Sequence, residues 1–381
     1  MSSSERAAIA VFGATGEVGR RVCAELIAMG AAPTLVGRDA AALAGLARRH
    51  TVAAVHVAAL DDRLALARAF AGARVVVNAA GPLRDTAAPV LAQALAAGAH
   101  YVDVGGEQAV LQDIYERHES EVRRAGLIAL PGAGLDGAVG ELAAAWAAAH
   151  LLGASDPGDT VRGAPAPRLA DDEPFDDIAV SHVIDGLTLS AGSQRALFDA
   201  IGARPLVWRR DRWEAGPIGD HRRVNAGPAF GGERDALGYA GGAVLTIPRH
   251  VAARLVTTYV STTRHAVAAS ALRVLSRALA FVPRRAGALL APYAAPDADY
   301  GATRFAVVAA VRRGFAHAQI VVGGRDIYRT TAVIAAWSAC RLAERGAGPI
   351  GMRAPGELFR AEPALRAIAR AAELTIEPSF G

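Results

Sequence analysis

The chain has 381 residues, of which 52% are hydrophobic and 20% are charged, enough apolar material for two well-buried domains. The formal net charge is only +4, and basic residues alternate with acids and glycines, which argues against nucleic-acid binding. All 41 basic residues are arginine. The absence of lysine excludes Schiff-base catalysis, the P-loop lysine and dehydrogenase mechanisms that need a Tyr-Lys pair.

Nothing in the sequence indicates export or a membrane span. Arginine or histidine interrupts every long apolar stretch, and the N-terminus lacks a basic region followed by an apolar segment. Cys23 and Cys340 have no metal-ligand or redox spacing. We therefore expect a reduced, cytoplasmic protein with no metal site.

The first part of the chain, to about residue 150, alternates short apolar runs with helical segments such as 17–30 and 86–98. Apolar, β-branched runs of this kind are typical of strands buried on both faces, and the alternation gives a parallel sheet. The sequence thus predicts an α/β fold with a Rossmann-type doubly wound sheet. The six predicted strands are AAIAVF (7–12), PTLVG (33–37), VAAVHV (52–57), RVVVNA (74–79), HYVDV (100–104) and GLIALP (126–131).

A second, mixed α/β domain is predicted beyond a linker or mobile loop at 153–177, which is rich in Pro, Gly and Asp. Strands are predicted at 178–186 and 253–262, a short helix at 193–203, and an antiparallel hairpin around Gly314. The predicted domains are a dinucleotide-binding domain (1–152), a substrate and dimerisation domain (153–329) and a C-terminal helical segment packing near the first domain (330–381).

The stretch FGATGEVG, at 12–19, follows the first strand and opens the first helix. Gly13 allows a sharp turn, Gly16 a close approach of a pyrophosphate, and Gly19 close packing of helix and sheet. Free N–H groups of the first helical turn would face the phosphates. The alternative is a tight turn without a ligand. The predicted cofactor-binding residues here are Gly13, Ala14, Thr15, Gly16, Glu17, Val18 and Gly19.

The end of the second strand indicates which dinucleotide binds. LVGRD places Arg38 about twenty residues beyond the glycine loop, where an acid would favour NAD. A guanidinium matches a 2′-phosphate in charge and geometry, so the sequence favours NADP. Asp39 is predicted to cap the next helix. The alternative is an Arg38 side chain that only faces solvent.

A run of small residues, VNAAGP at 77–82, ends the fourth strand. Small side chains at the carboxyl edge of a sheet leave room for the ribose and pyrophosphate of a cofactor. Asn78, Ala79, Ala80 and Gly81 are therefore predicted to bind it; alternatively, Gly81-Pro82 is simply a turn.

Together these segments resemble the saccharopine dehydrogenase-like reductases, a superfamily that includes saccharopine reductases and trans-acting enoyl reductases of polyketide-lipid pathways. The resemblance implies an NADP-binding Rossmann domain, a mixed sheet domain closing over it, and often a homodimer. It implies no single substrate, because members act on imines, enoyl lipids or unknown compounds. The segments that carry it are VFGATGEVGRRV (11–22), VGRDAAALAGLA (36–47), VVVNAAGPLRDTAAPVLAQALAAGAHYVDVGGE (75–107) and PGAGLDGAVGEL (131–142).

Two departures from that family weaken saccharopine itself as the substrate. Relatives often have Gly-Phe-Asp where this chain has Gly134-Leu135-Asp136. The middle domain also lacks a recognisable cluster for binding two amino-acid carboxylates.

Candidate catalytic residues lie near the predicted carboxyl edge of the sheet. Glu107 is either a general acid or only the N-terminal charge of a helix at 107–124. Asp136 is predicted chiefly to cap a helix at 138–150, with catalysis as the alternative. Asp103 either orients the nicotinamide ribose or satisfies backbone donors. His182 and His250, in the substrate domain, are structural or donate a proton.

The amphipathic segment 264–295 is predicted to be buried in the second domain or at a dimer interface. A lipid-facing helix, with peripheral membrane contact, would suit the enoyl-reductase branch. The leading interpretation is an NADP-dependent reductase of a C=N or activated C=C bond of a small molecule. The alternatives are an enoyl reductase acting on an acyl-lipid intermediate with a partner synthase, or a non-catalytic NADP-binding sensor.

Overall fold

The computed structural model describes residues 8–154, 168–170, 172–186, 188, 204–262, 299–344 and 349–381. The predicted helix at 193–203 and the amphipathic segment at 264–295 lie outside the described residues. Within the described ranges, every helix is too short or too polar to cross a bilayer.

The first sheet is parallel, in the order β15-β6-β5-β4-β1-β2-β3. Its order reverses between β1 and β4, and doubly wound sheets bind their ligands outside the carboxyl ends of the strands at such a switch point. The Rossmann-type prediction is confirmed. The strands are β1 (Ile9–Phe12), β2 (Thr34–Gly37), β3 (Ala54–Val57), β4 (Val75–Asn78), β5 (His100–Asp103), β6 (Ile128–Leu130) and β15 (Gly351–Met352).

Helices connect successive strands of this sheet, because each parallel connection needs a crossover. A short π-helical turn, Leu135–Val139, follows β6 and runs directly into α6. The helices are α1 (Glu17–Ala28), α2 (Ala40–Ala47), α3 (Arg63–Phe70), α4 (Leu83–Ala96), α5 (Gln108–Arg124) and α6 (Gly140–Leu151).

The second sheet has nine strands, and the predicted mixed α/β character of this part is confirmed. Its order is β10-β11-β12-β7-β13-β14-β16, with β8 pairing with β12 and β9. Among the strands that the structure describes here, only β12 and β7 are paired in parallel. The strands are β7 (Asp177–Asp185), β8 (Leu206–Arg209), β9 (Arg212–Ala215), β10 (His221–Asn225), β11 (Glu233–Gly238), β12 (Leu255–Ser261), β13 (Arg304–Arg313), β14 (Ala316–Arg325) and β16 (Thr375–Phe380).

The predicted hairpin around Gly314 is confirmed as β13 and β14, which pair from Arg304–Arg325 to Arg313–Ala316. The described residues of this part of the chain also form the helices α7 (Ala243–Thr246), α8 (Ile327–Ala343), α9 (Pro355–Leu358) and α10 (Ala361–Ala372).

Helix α6 joins the two sheets into one core. Every residue from Gly140 to Ala148 is buried, and the helix packs against β13 and β14 of the second sheet. A continuous apolar cluster runs from Val11 in β1 through Leu142 in α6 to Val307 in β13. The two sheets therefore pack together closely enough for side chains from both to form one site.

The C-terminal segment contributes a strand to each sheet. β15 pairs with β6, and β16 pairs with β14. Helix α8 packs against α1, where Arg21 pairs with Asp326 at 2.5 Å. The predicted domain boundaries at 152 and 329 stay a prediction.

Candidate active site

The glycine loop between β1 and α1 is anchored to the neighbouring strand. Gly13 has a φ of +79°, and the N–H groups of Gly13 and Ala14 both donate to the carbonyl of Val36, at 2.9 and 3.1 Å. The Gly16 N–H then donates to the Gly13 carbonyl at 3.0 Å. Ala80, beyond β4, packs so closely over Gly13 that a Cβ there would lie 2.8 Å from it.

The first turn of α1 presents main-chain donors at the carboxyl edge of the sheet. Arg20 is the first residue whose N–H bonds within the helix, to the Gly16 carbonyl at 3.0 Å. The N–H groups of Glu17, Val18 and Gly19 precede it and have no partner inside the helix. These donors, together with the helix dipole, form a site for a diphosphate.

The Glu17 side chain is turned away from such an anion. It forms ion pairs with Arg20 and with Arg21, the latter at 2.8 Å. Burial alone would raise the pKa of Glu17, but hydrogen bonds from the two arginines hold it below its usual value. Of Glu17, only the main-chain N–H is therefore in a position to serve an anion.

Arg38 follows β2 directly, and its side chain is exposed at the same edge of the sheet. The predicted cap at Asp39 is confirmed, because its Oδ1 accepts a hydrogen bond from the Ala42 N–H at 2.9 Å. Thr15 lies beside this junction, since a Cβ on Gly37 would be 3.8 Å from its hydroxyl oxygen. Arg38 is thus free to reach an anion bound near Thr15.

Asn78 acts on the loop after β4 through its buried side chain. Its Oδ1 accepts from the Ala80 N–H at 3.1 Å, and its Nδ2 donates to Thr86 and Tyr101, at 3.2 Å each. The loop of Ala79, Ala80 and Gly81 is thereby held beside Gly13, with only small residues facing the switch point.

Asp103, at the end of β5, is buried and organises two loops. Its Oδ1 accepts from the Gly105 N–H at 3.0 Å and from the Gly132 N–H at 2.9 Å. Burial raises the pKa of Asp103, although these two bonds oppose the shift. The geometry matches the backbone role considered for this residue; contact with a ribose stays a prediction.

Asp136 is not a helix cap, and that prediction was wrong. The π-helical turn continues into α6 without a break, and α6 begins with no side-chain cap. The Asp136 carboxylate instead accepts a short hydrogen bond from the Tyr239 hydroxyl, across the interface between the sheets. Its other oxygen lies against Gly106, where an added Cβ would be 2.2 Å away.

His182, in β7, lies beside Asp136 and Tyr239. Its Nε2 is 3.6 Å from Asp136 Oδ1, and its ring meets the Tyr239 ring edge-on with centroids 5.7 Å apart. The side chain is 6% exposed, and the Nε2 has no hydrogen-bond partner. Burial lowers the pKa of His182, and Asp136 opposes this only in part, so the imidazole is neutral near neutral pH.

Glu107 lies at the same carboxyl edge of the first sheet, immediately before α5. Its Oε2 accepts from the Gly106 N–H at 3.1 Å, and its backbone forms a bridge to Gly241 of the second domain. Burial raises the pKa of Glu107, and the neighbouring Asp103 and Asp136 raise it further. A carboxyl group that holds its proton to a higher pH than usual is suited to donate one.

Gln108 holds the second domain beside Glu107 through three hydrogen bonds. Its Nε2 donates to the carbonyls of Leu206 and Gly241, at 3.2 and 3.0 Å, and its Oε1 accepts from the Leu206 N–H at 2.6 Å. The side chain is buried. The interface beside Glu107 therefore has a fixed geometry.

The structure thus brings together the three predicted catalytic residues Glu107, Asp136 and His182. It also adds Tyr239, which sequence reasoning missed. Tyr239 is 103 residues from Asp136 and lies in a glycine-rich stretch without a periodic pattern, so no local signal indicates its role. Its hydroxyl pKa is raised well above the usual value by burial and by Asp136, so the phenol stays protonated.

Comparison with known proteins agrees with this geometry. Residues 9–130 match the family described as the saccharopine dehydrogenase NADP binding domain. No curated protein matches the chain. The apo, histidine-tagged saccharopine dehydrogenase (L-Glu forming) of Saccharomyces cerevisiae has a TM-score of 0.63 at 12% identity, covering 98% of this chain and 99% of that one. This similarity extends over both sheets and shows the fold.

Two other solved structures match a smaller part of the chain. Triphenylmethane reductase of a Citrobacter species, complexed with NADP(H), is 26% identical with a TM-score of 0.28, covering 32% of this chain and 48% of that one. A short-chain dehydrogenase/reductase of Vibrio parahaemolyticus is 14% identical with a TM-score of 0.29, covering 32% of this chain and 82% of that one.

The loop fits a dinucleotide on its own geometry. Free N–H groups start α1, a Cβ on Gly13 or Gly19 would collide with the adjoining backbone, and an exposed guanidinium follows β2. Together with the match of residues 9–130, these features assign NADP as the cofactor. Residues 9–130 are therefore an NADP-binding domain of the saccharopine dehydrogenase type, and the protein is an NADP-dependent oxidoreductase.

Proposed function

We propose that this protein reduces a C=N or activated C=C bond of a small molecule, with Glu107 as the proton donor. The observation that carries the proposal is the meeting of Glu107, Asp136 and Tyr239 beyond the carboxyl ends of β5 and β6. This edge of a doubly wound sheet is where a bound dinucleotide presents its reactive ring.

NADPH supplies a hydride when it is bound, and the chain must position the substrate and manage one proton. The buried Glu107 carboxyl, with its raised pKa, donates that proton to the substrate heteroatom or carbon. The Tyr239 hydroxyl, held by Asp136, orients the substrate by hydrogen bonding. Asp103 keeps the loops that carry Glu107 and Asp136 at a fixed separation.

Arg38→Ala tests the proposed contact of Arg38 with the 2′-phosphate. We expect affinity for NADPH to fall about 10- to 100-fold, the equivalent of one charge-assisted contact, while affinity for NADH is unchanged. Calorimetric titration with each dinucleotide measures both. The control is Arg48→Ala, an exposed arginine at the other end of α2. Equal losses for NADPH and NADH would refute the contact.

Glu107→Gln tests the proposed proton donor. Turnover of cyclic imines and enoyl thioesters is followed by loss of NADPH absorbance, and we expect kcat to fall about 100-fold for any probe that is reduced. Because the protonated carboxyl is the active form and its pKa is raised, the wild-type rate should decline as pH rises through that pKa. The variant should lose this decline.

The matched control is Glu116→Gln, an exposed carboxylate on the same helix. A Glu107→Gln enzyme with wild-type kcat and an unchanged pH profile would eliminate this donor. Oxidation of NADPH by no imine and no enoyl compound, despite tight NADPH binding, would instead support the non-catalytic sensor. Preference for long enoyl thioesters would support the acyl-lipid enoyl reductase. A homodimer and peripheral membrane contact stay predictions from the sequence.

A further inference from the structure

We propose that the reacting group of the substrate is a cation, an iminium nitrogen, and that the site rejects substrates with a carboxylate next to that nitrogen. The inference rests on the proposed function and narrows its substrate class. Its basis is an excess of carboxyl groups around the interface between the two sheets where Glu107, Asp136, His182 and Tyr239 lie, here called the cleft, without an arginine to balance them among the described residues.

Two carboxyl groups face the cleft. Asp103 is committed to backbone donors, but Asp136 has a side chain that is 35% exposed and can be reached by a ligand. Glu107 lies at the same edge of the sheet, close enough for Asp136 to raise the pKa of the Glu107 carboxyl group. A substrate entering here meets the Asp136 carboxylate on one side and, on the other, the Glu107 carboxyl group, which becomes a second carboxylate once it has given up its proton.

No arginine of the described ranges pairs with either carboxyl group. The arginines in the surrounding elements have other partners: Arg249 pairs with Glu357 at 2.7 Å, Arg222 with Asp177 at 2.8 Å, and Arg234 with Asp185 at 2.9 Å. Proteins recognise carboxylates through bidentate arginine contacts. The described part of the cleft offers no such contact to an amino-acid or keto-acid substrate.

His182 supplies a second, independent sign of a ligand. Its Nε2 is buried and has no hydrogen-bond partner, although it is directed at the cluster from 3.6 Å. A buried polar atom without a partner is costly, so it calls for an explanation such as a catalytic role or a bound water or ion. Because the imidazole is neutral, it provides a polar contact without a positive charge that would offset the two carboxyl groups.

The change in the charge of the substrate during reduction is consistent with a site that has carboxyl groups around it. The iminium carbon accepts the hydride, the π-electron pair of the C=N bond moves to nitrogen, and the cation becomes a neutral amine. For a substrate that arrives as a neutral imine, Glu107 first transfers its proton to nitrogen, which creates the same iminium beside a carboxylate. The neutral amine leaves and is protonated in the solvent, and a Glu107 carboxylate that has given up its proton regains one from the solvent before the next turnover.

The test uses two rings of the same size. 2-Methyl-1-pyrroline carries no carboxylate, whereas 1-pyrroline-2-carboxylate carries one next to the nitrogen. Their reduced forms, 2-methylpyrrolidine and proline, allow binding to the protein–NADP⁺ complex to be measured by calorimetry without turnover. We expect the methyl compounds to bind and react at least about 10-fold better than the carboxylates, the equivalent of one charged contact.

Asp136→Asn removes a charge with almost no change in shape. We expect it to weaken binding of 2-methylpyrrolidine about 10- to 100-fold and to reduce the discrimination against proline. Glu107→Gln, tested in the same binding assay at a pH where Glu107 is ionised, should act in the same direction if Asp136→Asn fails to fold. Unchanged binding of both amines in a folded variant would overturn the inference.

The failure of the inference can be told apart from the failure of the proposed function. Equal or better binding of proline, or equal reduction of the carboxylate ring, overturns the inference while reductase activity stands. Reduction of enoyl compounds and of no imine also overturns it. Selective binding of 2-methylpyrrolidine that depends on Asp136, without any turnover, supports the inference and counts against the reductase.

Discussion

Replacing Gly19 with alanine is expected to abolish measurable NADP⁺ binding. A Cβ at this position would lie 2.0 Å from the Gly13 carbonyl oxygen and 2.8 Å from its carbonyl carbon. These are backbone atoms held by the hydrogen bonds to Val36, so α1 itself must move away from the loop. Such a movement separates the N–H groups of the first turn from the bound diphosphate.

Calorimetric titration of the variant with NADP⁺ is the measurement. Gly45→Ala is the matched control, because a Cβ there would meet nothing closer than the tip of Arg48 at 3.9 Å, and alanine favours the helix. We expect the control to bind like the wild type. An affinity of Gly19→Ala within about threefold of wild type, in a folded protein, would show that the diphosphate lies elsewhere.

His250 and Glu141 form a buried pair behind the active site. His250→Ala is expected to lower the free energy of unfolding by about 3–5 kcal/mol. Glu141, in α6, is 0% exposed, and its Oε1 lies 2.9 Å from His250 Nε2, out of line for a hydrogen bond. The Gly356 N–H donates to the same oxygen at 2.7 Å. Removal of the imidazole leaves a buried carboxyl group with one partner fewer and a cavity around it.

Urea denaturation measures this loss, and a surface pair provides the control. His118 Nδ1 is also 2.9 Å from a carboxylate, that of Glu121, but the Glu121 side chain is 46% exposed. His118→Ala should therefore cost no more than about 1 kcal/mol. In a double-mutant cycle, Glu141→Gln combined with His250→Ala should cost less than the sum of the single changes. Strict additivity would contradict direct coupling.

The first sheet could be predicted because its signals are local. Each strand is a short apolar run between helical segments, and the glycine loop, the Asp39 cap and the β13–β14 hairpin follow from neighbouring residues. The edge strands β15 and β16 were not predicted. β15 has only two residues, and β16 carries Pro378 and is mostly exposed, so neither shows an apolar run.

The candidate site could be predicted only in part. Glu107 and Asp136 each follow a strand of one parallel sheet. Because the carboxyl ends of these strands share an edge, the topology alone predicts that the two residues lie close together. Tyr239 was missed because its partner is 103 residues away. The predicted cap at Asp136 failed for a related reason: the sequence shows an acid before a helix, but not the π-helical turn that carries it into the cleft.

A crystal structure of the protein with NADP⁺ would show where the diphosphate and the nicotinamide lie. We expect the diphosphate on the N–H groups of Glu17, Val18 and Gly19, the 2′-phosphate beside Arg38, and the nicotinamide between Glu107 and Asp136. A nicotinamide that points away from both carboxyl groups, or a diphosphate bound anywhere other than the start of α1, would contradict this expectation.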